Sequence, residues 1–259
     1  MKSAIAAVLC AAFAIRTSGQ VPVQTVPVVV TYDYYPQPKT LILHAVNNSG
    51  KDIIGYHITV RNKNADRTAR VPDSKMMQAD MLRTLVAPTA QERTEAERVF
   101  PIFAAGATRD INFYMIDWPD VAVTFDVIFY ADGTLFNQNE TGFNTMLADR
   151  QRSYLAIKKS TEIAKSALAD PNDHPIATAI TGLTKAAAEA MAHYPDGPYD
   201  TDARQSSQFQ WEMMTLRAIA QQKQDTERER LARYVEDQDK RIASMTPHCH
   251  LEIDPRPKQ

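Results

Sequence analysis

Cysteine is almost absent from this chain of 259 residues: there are 2, at Cys10 and Cys249. That count excludes an internal disulfide framework, and a chain of this length buries enough surface to hold a core without one. Glycine is scarce too, at 8 residues, which fits a helix-rich second half better than an all-β protein. No sign of charge dominates, with Lys+Arg 29 against Asp+Glu 31. The balance offers no basic excess to attract nucleic acid and no polybasic block to hold a lipid surface. After Ile15 no stretch approaches about 18 apolar residues, so no integral membrane segment is expected in the mature chain. The chain also lacks G-x-S-x-G, H-E-x-x-H, a P-loop and a dinucleotide fingerprint.

What is present begins with MKSAIAAVLCAAFAIRTSGQ, which has the three parts of a secretory signal. Lys2 supplies the positive start and Ala4–Ile15 an apolar run of 12 residues. Thr17 and Gly19 stand at −3 and −1 for a cut before Gln20, and Ala12-Phe13-Ala14 offers an earlier one. As a helix that run reaches only about 18 Å, against a hydrocarbon core of roughly 30 Å, so a cleaved signal at 1–19 is expected rather than an anchor. Leu9 before Cys10 does not suit a lipoprotein signal. The expected destination is the periplasm or the medium.

The chain changes character near residue 140. Before it, the runs Val28–Tyr34, Thr40–Val46, Ile53–Arg61, Ile111–Ile116 and Val121–Tyr130 are rich in Val, Ile, Thr, Tyr and Phe and read as strands. Asn47-Asn48-Ser49-Gly50 between two of them suits a hairpin connection. Tyr56, Ile58 and Val60 alternate as on a half-buried strand. Residues 73–98 read as a helical insertion, with Met77, Met81, Leu82 and Leu85 at helical spacing after Asp73-Ser74. Beyond 142 the periodicity is helical. Stripes run along Leu147–Leu168, Ile176–Met191 and Phe209–Met245, and QQKQDTERER at 221–230 inside the third has no apolar side chain. This predicts one helix that stands in solvent there or bends, with the solvated form preferred. The fold class is therefore α+β: an immunoglobulin-like β-sandwich at 20–140 with a helical insertion, then three helices over 141–247 and a tail at 248–259.

VIFYADGTLFN, residues 127–137, poses the sharpest local choice. Asp132-Gly133 between two apolar runs reads as a hairpin turn, and neither Asp126 nor Glu140 makes Asp132 part of a known motif. LHAVNNSGKDIIGYHITVRN (43–62), FAAGATRDINF (103–113), VAVTFDVIFYADGTLFN (121–137) and ADRQRSYL (148–155) together carry a resemblance. Residues 40–160 resemble uncharacterised secreted proteins of environmental, acidobacteria-like bacteria, in which a strand-rich module precedes an Arg-rich helix. The resemblance implies an immunoglobulin-like fold and export, and no activity.

No catalytic, cofactor or metal site is assigned. His248-Cys249-His250 has ligand chemistry, but adjacent residues rarely face one ion, and Cys249 reads either as a partner in an intermolecular disulfide or as part of a functionless tail. Asp196, Asp200 and Asp202 in PDGPYDTD lack calcium spacing and suit helix capping. His44 and His57 fall on strands, and His174 and His193 at helix ends. Asn47-Asn48-Ser49 and Asn139-Glu140-Thr141 are glycosylation sequons, relevant only in a eukaryotic secretory pathway. The leading functional expectation is an exported, non-catalytic interaction or scaffolding protein of the cell envelope, with a protein partner or self-association through the C-terminal helix. The rival is a hydrolase or metal-dependent enzyme with dispersed site residues, Asp117-Trp118-Pro119-Asp120 first among them. A polar cleft would separate the two.

Overall fold

The computed structural model describes residues 27–65, 74–87, 89–192 and 201–249. The candidate signal with Cys10, residues 193–200 with His193, Asp196 and Asp200, and residues 250–259 with His250 lie outside the described residues, as does the side chain of Asp202. The fold is α+β, with two antiparallel sheets.

One sheet joins β1 (Val28–Tyr35), β2 (Thr40–Asn47) and β5 (Thr108–Tyr114) in the order β1-β2-β5. The other joins β3 (Ile53–Asn62), β4 (Ser74–Asp80), β6 (Val121–Tyr130) and β7 (Leu135–Asn137) in the order β4-β3-β6-β7. Leu41, Leu43, Ile111 and Phe113 of the first sheet share a core with Tyr56, Ile58, Phe125 and Ile128 of the second. Burying such side chains contributes roughly 1.5–3 kcal/mol each.

Asn47-Asn48-Ser49-Gly50 is not a hairpin. It carries the chain from one sheet to the other, because β2 pairs with β1 and β5 while β3 pairs with β4 and β6. Asn47 holds the crossing: fully buried, it donates to the carbonyls of Lys51 (2.8 Å), Phe103 (2.8 Å) and Ala104 (3.1 Å). A side chain so enclosed is no glycosylation acceptor. Asn139 of the second sequon is likewise engaged, as the cap of a helix.

The expected helical insertion is half strand. Met77 and Met81, four residues apart, suit one face of a strand as well as of a helix, and pairing with β3 (Ile58↔Met77, Tyr56↔Ala79) decides for the strand. Helix follows only as the turn α1 (Leu82–Leu85) and as α2 (Ala90–Val99), capped by Thr89. Nor is β3 half-buried: eight consecutive residues from Ile53 are buried, since helices cover its other face.

Four helices, not three, complete the described chain: α3 (Glu140–Ala169), α4 (Pro175–Ala192), α5 (Thr201–Ala220) and α6 (Glu227–Cys249). The stretch read as solvated contains the break between α5 and α6. Thr226 and Glu229 form a reciprocal cap there, the Thr226 amide donating to the carboxylate at 2.9 Å and the Glu229 amide to the hydroxyl at 3.2 Å. The arginines beside it are used too. Arg228 donates to the carbonyls of Leu168, Asp170 (2.9 Å) and Asn172 at the end of α3, and Arg230 to those of Ala220 and Asp225.

The stripe beyond the break is covered within the chain. Leu231 and Val235 pack with α4 and α5, while Met245 joins Phe143, Met146 and Phe129 between α3 and the sheet. This removes the ground for self-association through α6. The helix also runs past the expected end at 247, and His248 and Cys249 are buried rather than part of a tail. Burial pushes the Cys249 thiol up to about 11, and a thiol so placed is not available for an intermolecular disulfide.

Candidate functional site

The candidate residues of the sequence do not converge. Asp132 closes the hairpin: Gly133 takes φ 83°, and the Thr134 amide donates to the Asp132 carboxylate at 3.0 Å. Lys51, 2.8 Å away, and Thr134 hold that carboxyl well below its usual range. Asp117 and Asp120 pair with Lys39 (2.7 Å) and Lys63 (3.0 Å), and Trp118 packs on the core shared by the two sheets. His44 bridges Asp110 (2.8 Å) and Asp33 (3.2 Å) across the outer face of the three-stranded sheet. His174 lies 3.7 Å from Glu227. Among the described residues no group of His, Cys, Asp or Glu could hold a metal ion.

A buried polar knot sits where α3 meets the sheet. The register of β3 on β6 slips between His57 and Ile58, which leaves Asp126 as the extra residue of a bulge. Its carboxylate accepts from Thr59, from His57 Nδ1 (3.3 Å) and from Asn139 (3.4 Å), the cap of α3. The imidazole lies so close to Gly142 that a Cβ there would stand 3.0 Å from it. His57 and Asp126 are buried, and neither lines the cavities below, so the knot docks the helix.

The cavities lie elsewhere. A cleft of about 600 Å³ opens between α1–α2 and α5–α6. Its apolar lining includes Ala96, Val99, Phe100, Trp211 and Ile219, and its charged lining arginines 83, 230, 233 and 241 with Glu92, Glu95 and Asp237. A smaller hollow of about 240 Å³ adjoins it against β4 and α3, and Arg83, Trp211 and Arg241 line both. The Arg83 guanidinium stacks 4.0 Å over the Trp211 ring. Desolvation, and after it the neighbouring Arg241 charge, lower the Arg83 pKa.

Beneath the cleft, Glu212 is fully buried and accepts from Gln208 (2.8 Å), Tyr234 (2.7 Å) and Gln238 (2.8 Å). Arg241 joins it at 3.6 Å and Glu92 at 2.9 Å. Burial, and next the Glu212 charge, drive the Tyr234 phenol far above its ordinary value, so it stays a donor. In the smaller hollow, Arg150 forks onto Asp80 (2.8 and 2.9 Å) and stacks 4.0 Å over Phe129.

Among the described residues, the lining of the large cleft includes no His, Cys or Ser. Its chemistry is that of flat apolar stacking beside fixed guanidinium donors, which suits holding an anion. Arg83, Glu212 and Arg241 were not singled out by motif, but Glu212 carried a signal. It falls between Phe209 and Leu216 on the apolar stripe of α5, where a carboxylate needs buried partners.

No family model matches the chain, and no curated protein matches it. Among solved structures, a hypothetical protein from Peptoclostridium difficile 630 is similar at 12% identity over 47% of this chain and 90% of that chain. Its TM-score of 0.29 is too low for the likeness to bear on fold or function.

Proposed function

We propose that this is an exported, non-catalytic binding protein of the bacterial cell envelope, built on an immunoglobulin-like sandwich. The strand order supports the sandwich type: β1-β2-β5 faces β3-β6-β7, as strands A, B and E face C, F and G, with β4 added beside β3. The signal-like first residues and the resemblance to secreted proteins support export. The cleft between α1–α2 and α5–α6 carries the binding role, because arginines and an aromatic wall favour holding a ligand over cleaving it. Two measurements test this reading. Protein recovered from the envelope or medium is expected to start between Ile15 and Thr25 by mass spectrometry; intact Met1 in the membrane fraction would refute export. Native mass spectrometry after incubation with envelope extract is expected to show an adduct on the wild type. Ala96→Trp, which fills the cleft, is expected to lose it. An adduct that survives the filling, or none at all, would refute the cleft as the binding region.

A further inference from the structure

The geometry points to a ligand class for this cleft: a small carboxylate bearing one negative charge and an apolar body. The carboxylate sits on Arg83, and the body lies along Trp211, Phe100 and Ile219. The inference rests on the binding reading above and deepens it.

Arg83 carries the first part of the argument. Among the described residues its guanidinium donates to no hydrogen-bond partner and forms no ion pair, and it stacks on the ring of Trp211. The other arginines are engaged: Arg233 pairs with Asp225 at 2.5 Å, Arg230 holds helix-end carbonyls, and Arg241 pairs with Glu92 and Glu212. Yet Arg230, itself 7% exposed, keeps a buried Nε without a partner, and so does Arg241. Both line the cleft. Those two Nε atoms are buried, so the donor left open to a ligand is the planar fork of Arg83, whose free N–H groups suit a planar oxyanion.

The charge of the ligand follows from the carboxylates around it. Glu92, Glu95 and Asp237 also line the cleft, and Glu92 and Glu95 act on Arg83 through space without bonding it. The lining holds four arginines (83, 230, 233 and 241) against these three acids, and one negative charge balances the excess, while a dianion such as a phosphate monoester would overshoot it and meet repulsion from Glu92 and Glu95. Size and surface give the body. The volume of about 600 Å³ lies within the range of small-molecule pockets, roughly 300–1,000 Å³, and Trp211 at its wall is 42% exposed. The hollow behind the Arg83–Trp211 stack, with Leu82, Val86, Ile157 and Met245, extends the space for an apolar chain.

The test uses decanoate (below its micellar concentration) and 2-naphthoate, each beside its neutral amide, with decyl phosphate as the dianion, titrated calorimetrically into the mature protein. At least one carboxylate is expected to bind, its amide roughly ten- to a hundredfold more weakly. Which carboxylate binds distinguishes a chain from a ring as the body. Arg83→Gln is expected to bring the carboxylate down to the level of its amide, and Arg83→Lys to restore part of the loss, with helical circular dichroism and melting temperature confirming the fold. An amide that binds as well as its acid, or Arg83→Gln binding unchanged, would overturn the carboxylate site while leaving the cleft as a binding region. Decyl phosphate binding more tightly than decanoate would overturn the single-charge assignment. If no probe binds, this inference fails, and the Ala96→Trp adduct experiment then judges the binding reading separately.

Discussion

The space between the two sheets is closed by apolar side chains, whereas the space between sheet and helices adds buried charged groups to its apolar packing. Between the sheets the packing is aliphatic and aromatic: Leu41, Leu43, Ile58, Ile111, Phe113 and Phe125. The buried charged groups, Asp126, Arg150, Glu212 and Arg230, all lie where helices meet the sheet or each other. The difference has a physical source. Strands are held in register by their own backbone ladders, so apolar burial is enough to hold the two sheets together. A helix has satisfied its backbone internally and slides or rotates on an apolar surface at little cost, so polar partners at fixed positions set how α3, α5 and α6 sit.

Substitutions break the comparison in graded fashion. Glu212→Ala should cost about 3–5 kcal/mol in urea unfolding, because Tyr234, Gln238, Gln208 and Arg241 lose a shared acceptor. A cost no larger than that of an exposed glutamate would mean the cluster does not orient α5 and α6.

Arg150→Met should cost about 2–3 kcal/mol, less than a fully enclosed pair because Asp80 keeps some contact with solvent. Adding Asp80→Asn should recover about 1 kcal/mol, since the orphaned charge goes while the cap on the Leu82 amide stays. A double variant no more stable than Arg150→Met would place the cost in lost packing on Phe129 instead.

In the turn between β6 and β7, Gly133→Val should lower stability by about 1 kcal/mol or more, since φ 83° is strained for a β-branched residue. Asp132→Asn should be nearly silent, because Asn-Gly closes the same turn. Equal losses for the two variants in thermal melts would show the side chain, not the backbone, controlling the hairpin.

The smallest effect is expected at His44. Hydrogen bonds to Asp110 and then Asp33 raise its pKa above the ordinary 6.5. A raised folded value means this contribution is complete below about pH 6.5 and is lost as pH rises through the folded pKa. A titration of the His44 ring by NMR with a midpoint at or below 6.5 would contradict the three-residue bridge.

Local chemistry was legible where it did not depend on distant partners. The strand runs at Val28, Thr40, Ile53 and Val121, the Asp132-Gly133 turn and the helical stripes after 142 all follow from side-chain period and turn preference. Some signals were present and unused. Thr226 and Glu229 have capping-box spacing, which marks the start of a new helix inside a polar stretch otherwise read as solvated. Arg150 between Leu147 and Tyr154, like Glu212 on α5, is a charge on an apolar stripe, and such a position announces a buried partner without saying which.

By itself, then, the sequence determined the two-part character of the chain, its hairpin turn and the periodic faces that had to be buried. Those outcomes rest on interactions within a few residues. Tertiary structure alone decided that Ser74–Asp80 is a strand, because only pairing with β3 separates Met77 and Met81 on one strand face from the same pair at helical spacing. It also decided that Asn47 is a crossing between sheets, and that Arg83 and Trp211, 128 residues apart in sequence, stack at the wall of a cleft. Contacts at such separations depend on how elements pack, and side-chain period along one element carries no information about its partner.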